Sequence, residues 1–383
     1  MIVTRIKLKN WRNFKYVDVP LRDRAYLIGP NASGKSNFLD VFRFLRDISN
    51  PSGGGLQKAV SGRGSIKKIR WLPSRDAVVS IEIHLAPGPD DEVEWTYTLA
   101  FRSEGTGRQR PIVTEERVYH HGEIILDRPD LMDGSDAERL TQTHLEQISA
   151  NGEFRRIAET FDSVTYLHLV PQLLKFSDQL GGNRLSGDPF GQEFLNRIAK
   201  CTERTRDARL RKIQKALLVA VPQFEDLKFV QDTITGRPHL EARYKHWRPK
   251  AGLQREDEFS DGTLRLLGLM WSLLDGDSML LLEEPELSLN DGIVSQIPML
   301  ISGMQRKAKH RRQVVITTHS EALLSNEGID GREVVRLEPT ENGTEMLLPS
   351  EEETVALKAG LTPADVMLSK TRPHQVEQLS LLE

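Results

Sequence analysis

The sequence predicts an α/β fold with a mixed-sheet N-terminal lobe, an inserted helical lobe and a parallel-sheet C-terminal lobe. Three observations predict it. A short apolar strand, Ala25 to Ile28, runs into Gly29-Pro30-Asn31-Ala32-Ser33-Gly34-Lys35-Ser36, and a helical pattern follows. A second apolar strand, Met279 to Leu282, ends in Glu283-Glu284-Pro285-Glu286. Between them the chain drops its strand–helix alternation and becomes helical and densely charged.

Ile2 to Leu8 alternates apolar and polar residues, the period of a half-buried strand. From Asn37 to Ile48 the apolar residues Phe38, Leu39, Val41, Phe42, Leu45 and Ile48 recur at helical spacing. A Gly- and Ser-rich stretch, Asn50 to Ser65, precedes strands at Val78–Leu85, Glu94–Phe101 and near Arg117–Tyr119, whose alternation suggests antiparallel sheet. Ala137 to Phe161 reads as helix and Val164 to Val170 as a buried strand. Gln192 to Val221 reads as one helical run, and Leu227–Gln231 with His239–Tyr244 as a hairpin about Thr235-Gly236. Helices at Thr263–Leu274 and Ile293–Lys309 flank Met279–Leu282, and Val314–Ile316 is a further strand. The last 35 residues are polar with an apolar end, Leu379 to Leu382.

Composition removes several function classes. The chain has 383 residues, enough for a sizeable core. Its 52 Lys+Arg against 55 Asp+Glu leave a net charge of -3, so no global pull toward nucleic acid or an anionic membrane follows. Cys201 is the single cysteine, which excludes an intramolecular disulfide and a Cys-based zinc cluster and suits a reducing compartment. Arg5, Lys7 and Lys9 have no apolar stretch behind them, so no signal peptide is expected, and no membrane span is expected either. A cytoplasmic protein is expected.

Gly29 to Ser36 fits G-x-x-x-x-G-K-[ST], a phosphate-binding loop. Its glycines let backbone N–H groups converge on phosphates while the next helix aims its positive end there. Lys35 would reach the β and γ phosphates and the Ser36 hydroxyl would bind Mg²⁺. In the second half, the carboxylates after Leu282 stand where doubly wound sheets bind ligands, at a strand's carboxyl end. Neighbouring strand residues point opposite ways, so Glu283 and Glu284 take separate tasks: one serves the Mg²⁺ shell, the other polarises an attacking water. Ser260 is a good N-cap, with Asp261 and Gly262 beside it, at a helix start able to bind an anion. His319 follows a short buried strand, where a histidine can sense a γ-phosphate or simply be structural.

The order and spacing of these elements resemble the ABC-type ATPase head shared by RecF, the SMC proteins, the OLD family and the AAA-type ATPases of bacterial defence systems. The likeness runs over residues 1 to 340 and is strongest at 25–45 and 258–325. It implies ATP and Mg²⁺ as ligands, with Gly29 to Ser36 and Asn37 around the phosphates. It makes Ser260-Asp261-Gly262-Thr263 the signature that contacts ATP held by a second protomer, Glu283 the metal-binding acid, Glu284 the catalytic base and His319 the switch histidine. Leu287-Ser288-Leu289-Asn290 takes the D-loop position, Gln172 resembles the glutamine that links Mg²⁺ to the helical lobe, and Arg12 a basic residue near the nucleotide. Asp261 stands where a second glycine is usual, Glu283 where Asp is common, and Asn290 where the D-loop has Asp; these variants put the hydrolysis rate in question rather than nucleotide binding.

The resemblance implies a head over 1–348, comprising an N-terminal lobe 1–171, an insertion 172–255 and a C-terminal lobe 256–348, followed by a tail 349–383. It also implies a homodimer or higher oligomer closing around ATP. Such a switch would act on DNA, in phage defence or repair, with a partner effector such as a nuclease, because nothing past residue 340 reads as an effector. Two other classes compete. One is an ATP-assembled scaffold with slow hydrolysis that holds an effector. The other, a transporter subunit, is disfavoured by the long middle and by Asp261. The basic run Arg204, Arg206, Arg209, Arg211, Lys212 and Lys215 reads as a solvated face or a nucleic-acid contact, and Lys58, Arg63, Lys67, Lys68 and Arg70 as a phosphate-backbone contact. Gln305 to Arg312 reads as a basic helix end. His120-His121, His144, His168, His239, His246 and His310 show no ligand spacing with carboxylates.

Overall fold

In the computed structural model, which describes residues 1–105, 109–176, 190–245, 252–307 and 312–371, the alternating N-terminal segment is the strand β1 (Ile2–Trp11). It turns through Arg12, whose φ is 49°, into β2 (Phe14–Pro20). After β3 (Arg24–Ile28) and the phosphate loop come β4 (Val79–Ala86), β5 (Trp95–Ser103), β6 (Pro111–His120) and β7 (Glu123–Arg128). Then follow β8 (Thr165–Leu167), β9 (Phe224–Gln231), β10 (Pro238–Tyr244), β11 (Leu253–Arg255), β12 (Leu280–Glu283), β13 (Val314–Thr318), β14 (Val334–Thr340) and β15 (Gly343–Leu347).

These strands form an antiparallel sheet β2-β1-β4-β5-β6-β7, a small sheet β11-β10-β9, and a third sheet β15-β14-β3-β13-β12-β8. In the third sheet β14, β3, β13, β12 and β8 run parallel, with β15 antiparallel at the edge. Both of its faces are covered, as parallel sheets require. Ala25, Leu27, Leu281 and Val315 enter one core, while Tyr26, Ile28, Leu280, Leu282, Val314 and Ile316 enter the other. The first core lies between this sheet and the antiparallel one and is filled by the helix Lys35–Ser49. Phe38, Phe42 and Phe44 of that helix are fully buried, each worth roughly 1.5–3 kcal/mol of transfer free energy. The second core is closed by the helices Asp261–Leu274 and Glu203–Ala220 and by the small sheet. The α/β class, with one mixed and one antiparallel large sheet, is therefore that expected.

Several segments differ from expectation for identifiable reasons. Residues 137–161 are not one helix but short 3-10 turns at Ala137–Thr141 and Gly152–Phe154, followed by the helix Arg155–Asp162. The buried Arg128 guanidinium takes the carbonyls of Arg139 and Gln142, and the buried Glu116 carboxylate takes the amides of His144 and Leu145. Those backbone groups cannot then serve a helical ladder. The run 192–221 breaks at Cys201 into Phe194–Lys200 and Glu203–Ala220, and the second helix is capped by the Thr202 hydroxyl. The helix expected over 293–309 divides into Asp291–Val294 and Ile297–Lys307, with Pro298 in the first turn of the latter.

The Gly- and Ser-rich stretch contains the helix Leu56–Ser61, and Arg63 beyond it is no free phosphate ligand: it is buried on Asp40 and Asp47. Arg312 is likewise buried, donates to the Ser272 and Asp275 carbonyls at the end of helix Asp261–Leu274, and is lowered by burial to about 10. The half-buried Lys7 to Glu82 pair and the more exposed Arg5 to Asp18 pair decorate the antiparallel sheet without deciding its fold. Past β15, the helix Glu351–Lys358 is followed by the helix Pro363–Met367, which packs onto the second core through Met367, with Leu368 just after it. Glu353 is 4% exposed and accepts from Arg336 (2.8 Å), Lys370 (2.6 Å) and the Ser350 N–H (2.7 Å). Leu379 to Leu382, His246 and His310 lie outside the described residues. No helix among those described is long and apolar enough to cross a membrane.

Candidate functional site

The site stands at the carboxyl ends of β3, β12 and β13, where the chain leaves the parallel sheet. Gly29 and Gly34 are required by close approach. A Cβ on Gly29 would lie 2.7 Å from the Leu337 carbonyl oxygen, and one on Gly34, whose φ is 101°, would lie 2.1 Å from Asn13 Nδ2. Asn13 braces the loop: it donates to the Ser33 carbonyl (2.9 Å) and accepts from Asn37 Nδ2 (2.8 Å). Trp11 holds the helix start through its indole N–H to the Asn37 carbonyl (2.8 Å). Pro30, Asn31 and Ala32 form the outer arc of the loop, with Ala32 at a φ of 63°. Lys35 is 7% exposed and folds back on the Gly29 and Pro30 carbonyls at 2.8 and 3.2 Å; its burial lowers its pKa, against the opposing pull of Glu284, Glu283 and Glu286.

Glu283 ends β12 with both carboxylate oxygens engaged. The Ser36 hydroxyl donates to Oε1 and the Tyr166 hydroxyl to Oε2. Tyr166 arrives there because β8 runs parallel to β12 with Tyr166 opposite Leu281. Burial, then the Glu283 charge, raises the Tyr166 pKa, so it stays a donor. The Arg43 guanidinium lies over its ring at 4.4 Å. Glu284 turns the other way, at a φ of 43°, with its N–H on the Thr317 carbonyl (3.0 Å). Its carboxylate meets His319 Nδ1 at 3.3 Å. Glu286 is 8% exposed and accepts from the Thr318 hydroxyl (2.6 Å) and the His319 N–H (3.3 Å), which fastens the turn after β12 to the turn after β13. Burial raises its pKa.

The remaining sequence-derived residues sit elsewhere. Arg12 reaches Asp40 on the helix that follows the phosphate loop (2.6 Å), and Arg63 grips the same carboxylate from the other side. Ser260 caps helix Asp261–Leu274 through the Thr263 N–H (3.2 Å). Asp261 is bound within its own chain by Gln172 Nε2 (2.7 Å) and Lys175 (2.9 Å), and the Lys175 bond leads in holding its carboxyl low. Gln172 thus rests on Asp261, with no hydrogen bond to Ser36 or Glu283. Gly262 lies against the Ser288 carbonyl, where an added Cβ would be 2.6 Å away. Ser260, Asp261 and Gly262 form no hydrogen bond or ion pair with residues 29–37 of their own chain. Asn290 caps the helix Asp291–Val294.

Sequence reasoning missed Tyr166, Asn13 and Glu286. Glu286 stands in the acidic turn already singled out and Asn13 next to Arg12, while Tyr166 lies in the strand read at Val164 to Val170 with no mark of a polar task. A cavity of about 290 Å³ beside the loop is lined by Gly29, Pro30, Asn31, His319, Glu321, Leu368 and Thr371, so the C-terminal segment borders the site.

The residues fit ATP with Mg²⁺. The Ser33 hydroxyl is buried in the loop with no hydrogen-bond partner, and the Gly29 and Gly34 positions make a cradle that a side chain would fill. Ser36 and Glu283 offer hard oxygen donors in contact with one another, the donor class Mg²⁺ takes.

Three solved structures share the fold across almost their whole length. An SMC head bound to the C-terminal winged-helix domain of ScpA covers 92% of this chain and 99% of its own, at a TM-score of 0.56 and 16% identity. The SMC head with an extended coiled coil from Pyrococcus furiosus, bound to the C-terminal domain of ScpA, gives 0.52 and 14% over 93% and 98%. The SMC head with a coiled coil and joint from Pyrococcus yayanosii gives 0.52 and 13% over 93% and 99%. Among curated proteins none matches by sequence. A family profile does match, over residues 25–325, which spans the phosphate loop, the paired glutamates and His319. The chain belongs to the AAA-domain family described as putative AbiEii toxin, type IV toxin–antitoxin system, and folds as an SMC-type ATPase head.

Proposed function

We propose that this chain binds and hydrolyses ATP with Mg²⁺ as an ATP-linked homodimer, and that the resulting change of shape drives a DNA-directed process through a partner effector. The observation that carries the reading is the division of tasks after β12. Glu283 is bonded to Ser36 of the phosphate loop, while Glu284 faces His319. Glu284 takes the proton of the attacking water, and His319 orients its carboxylate. Lys35 swings from the Gly29 and Pro30 carbonyls to the phosphates. Ser36 and Glu283 would hold Mg²⁺, which neutralises developing charge on the phosphates when bound. Gln172 would serve Mg²⁺ only on leaving Asp261, to which it now donates.

Two observations support a shared site. The Ser260-Asp261-Gly262 segment is bonded to Gln172 and Lys175 rather than to its own phosphate loop, and it caps a helix whose free N–H groups suit the phosphates of a second copy. The exposed Arg204, Arg211, Lys212 and Lys215 on helix Glu203–Ala220 favour a nucleic-acid contact. The family's description as toxin-type favours defence over repair. The described residues past β15 dock on the head itself through Met367 and Leu368.

Mixing decides the shared site. Lys35→Ala and Ser260→Arg chains, each inactive alone, should together regain up to one working site per heterodimer. Proven mixing without recovery would sink the dimeric reading, and turnover indifferent to duplex DNA would remove the DNA-directed part.

A further inference from the structure

We propose that Glu94, His120 and His121 form a binding site for a divalent transition metal ion of the zinc class, at the far end of the antiparallel sheet and independent of the nucleotide site. The three side chains come from the residue before β5, the last residue of β6 and the turn after it, and are brought together by register rather than by spacing, which corrects the expectation that His120 and His121 lack a carboxylate partner. Trp95 pairs with His120 across β5 and β6, and the His121 N–H donates to the Glu94 carbonyl (2.8 Å). The turn after β6 supplies the rest. His121 and Gly122 both take positive φ, 48° and 84°, in a tight two-residue turn that swings the second imidazole back beside the first. The two rings sit 4.5 Å apart, and one donor atom from each of the three residues lies within 4.8 Å of the other two.

Two features separate this cluster from a chance gathering of surface groups. The His120 ring is stacked on the Trp95 indole, with centroids 3.9 Å apart and planes 20° apart, so its orientation is held by packing. The Glu94 carboxylate, 14% exposed, is held through a single oxygen: Oε1 accepts from Trp95 Nε1 (3.0 Å) and from Arg156 (2.9 Å). The same oxygen faces the imidazoles, with His120 Nε2 4.0 Å away. Indole and guanidinium then act as the outer partners that orient a ligating carboxylate. Two imidazoles and one carboxylate are a donor set for Zn²⁺, Ni²⁺ or Co²⁺ rather than Mg²⁺, with a fourth position left for water or for a ligand from a partner.

The test titrates ZnCl₂ calorimetrically into the nucleotide-free full chain, with Mg²⁺ in excess to cover the nucleotide site. The wild type should show one step near one ion per chain. Glu94→Gln and His121→Ala should each weaken it by about tenfold or more, and Trp95→Phe, which keeps the stacking but loses the indole N–H, by a smaller factor. His319→Ala should leave the step in place. Ni²⁺ should quench part of the tryptophan emission in the wild type, through Trp95, and not in His121→Ala. His121 is exposed, so that variant keeps the fold, and an unchanged melting temperature verifies it. No binding step, a step unaltered by Glu94→Gln and His121→Ala, or one lost in His319→Ala would each overturn the proposal.

Discussion

Glu353→Gln tests how firmly the C-terminal segment is tied to the nucleotide-binding sheet. Glu353 joins Lys370 to Arg336, and Arg336 lies opposite Ile28, the residue before the phosphate loop. Burial alone would push the Glu353 carboxyl up. Lys370, the Ser350 N–H and Arg336 outweigh it and hold the group at about 2, against an ordinary 4.5. At about 1.4 kcal/mol per tenfold change, that difference sets an upper bound of about 3 kcal/mol. Lys370 is 53% exposed and its share is screened, so about 2 kcal/mol is expected at pH 7. With about 2 cal/mol/K of unfolding entropy per residue, a chain of this length should melt about 2–3 °C lower.

The sign with pH follows from the direction of the shift. The folded state holds this carboxyl ionised where the unfolded chain would protonate it, so the stabilisation is complete above about pH 4.5 and fades as pH falls toward about 2. Calorimetric melting of both proteins should therefore show a constant gap from pH 7 to 5.5 that narrows below 4.5. Equal melting temperatures at pH 7, or a gap that widens in acid, would refute the reasoning.

Lys35→Ala should weaken ATP binding by roughly 10- to 100-fold through loss of a charge-assisted contact, and undiminished binding in a filter or fluorescence assay would argue against the phosphate-loop assignment. Glu284→Gln should bind ATP, lose turnover by about 100-fold or more and accumulate a larger species on size-exclusion chromatography with ATP; wild-type turnover would remove Glu284 from the base role. Tyr166→Phe should raise the Mg²⁺ concentration needed for half-maximal turnover by several-fold, roughly the worth of one hydrogen bond to a charged group, with nucleotide affinity in the absence of metal unchanged. An equal loss with and without metal would make Tyr166 merely structural.

What could be seen in advance was local and contiguous. The phosphate loop, its strand and its helix occupy one stretch, and Met279 to Glu286 carries both its apolar strand and its carboxylates. Tyr166 could not be seen, because its contact with Glu283 follows from the parallel register of β8 on β12. The break-up of residues 137–161 was hidden for a related reason. Their apolar spacing is helical, but the Arg128 and Glu116 side chains arriving from another strand pair take the backbone groups a helix needs. The basic residues show the same limit: Arg63 and Arg312 look like surface cations in sequence and are buried hydrogen-bond hubs in the fold.

The contact between Gly262 and Ser288 bears on timing. Without a side chain at residue 262, the start of helix Asp261–Leu274 rests directly on a backbone carbonyl in the turn that begins with Glu284. Such a joint has little slack, since any shift of one segment must be matched by the other. In the proposed dimer, the first segment touches the partner's ATP and the second sets the geometry of the chain's own base. Filling one nucleotide pocket would then retune the other, and turnover would rise sigmoidally with ATP, with a Hill coefficient between about 1 and 2 for two sites. Gly262→Ala would force the joint open and return the curve to a simple hyperbola.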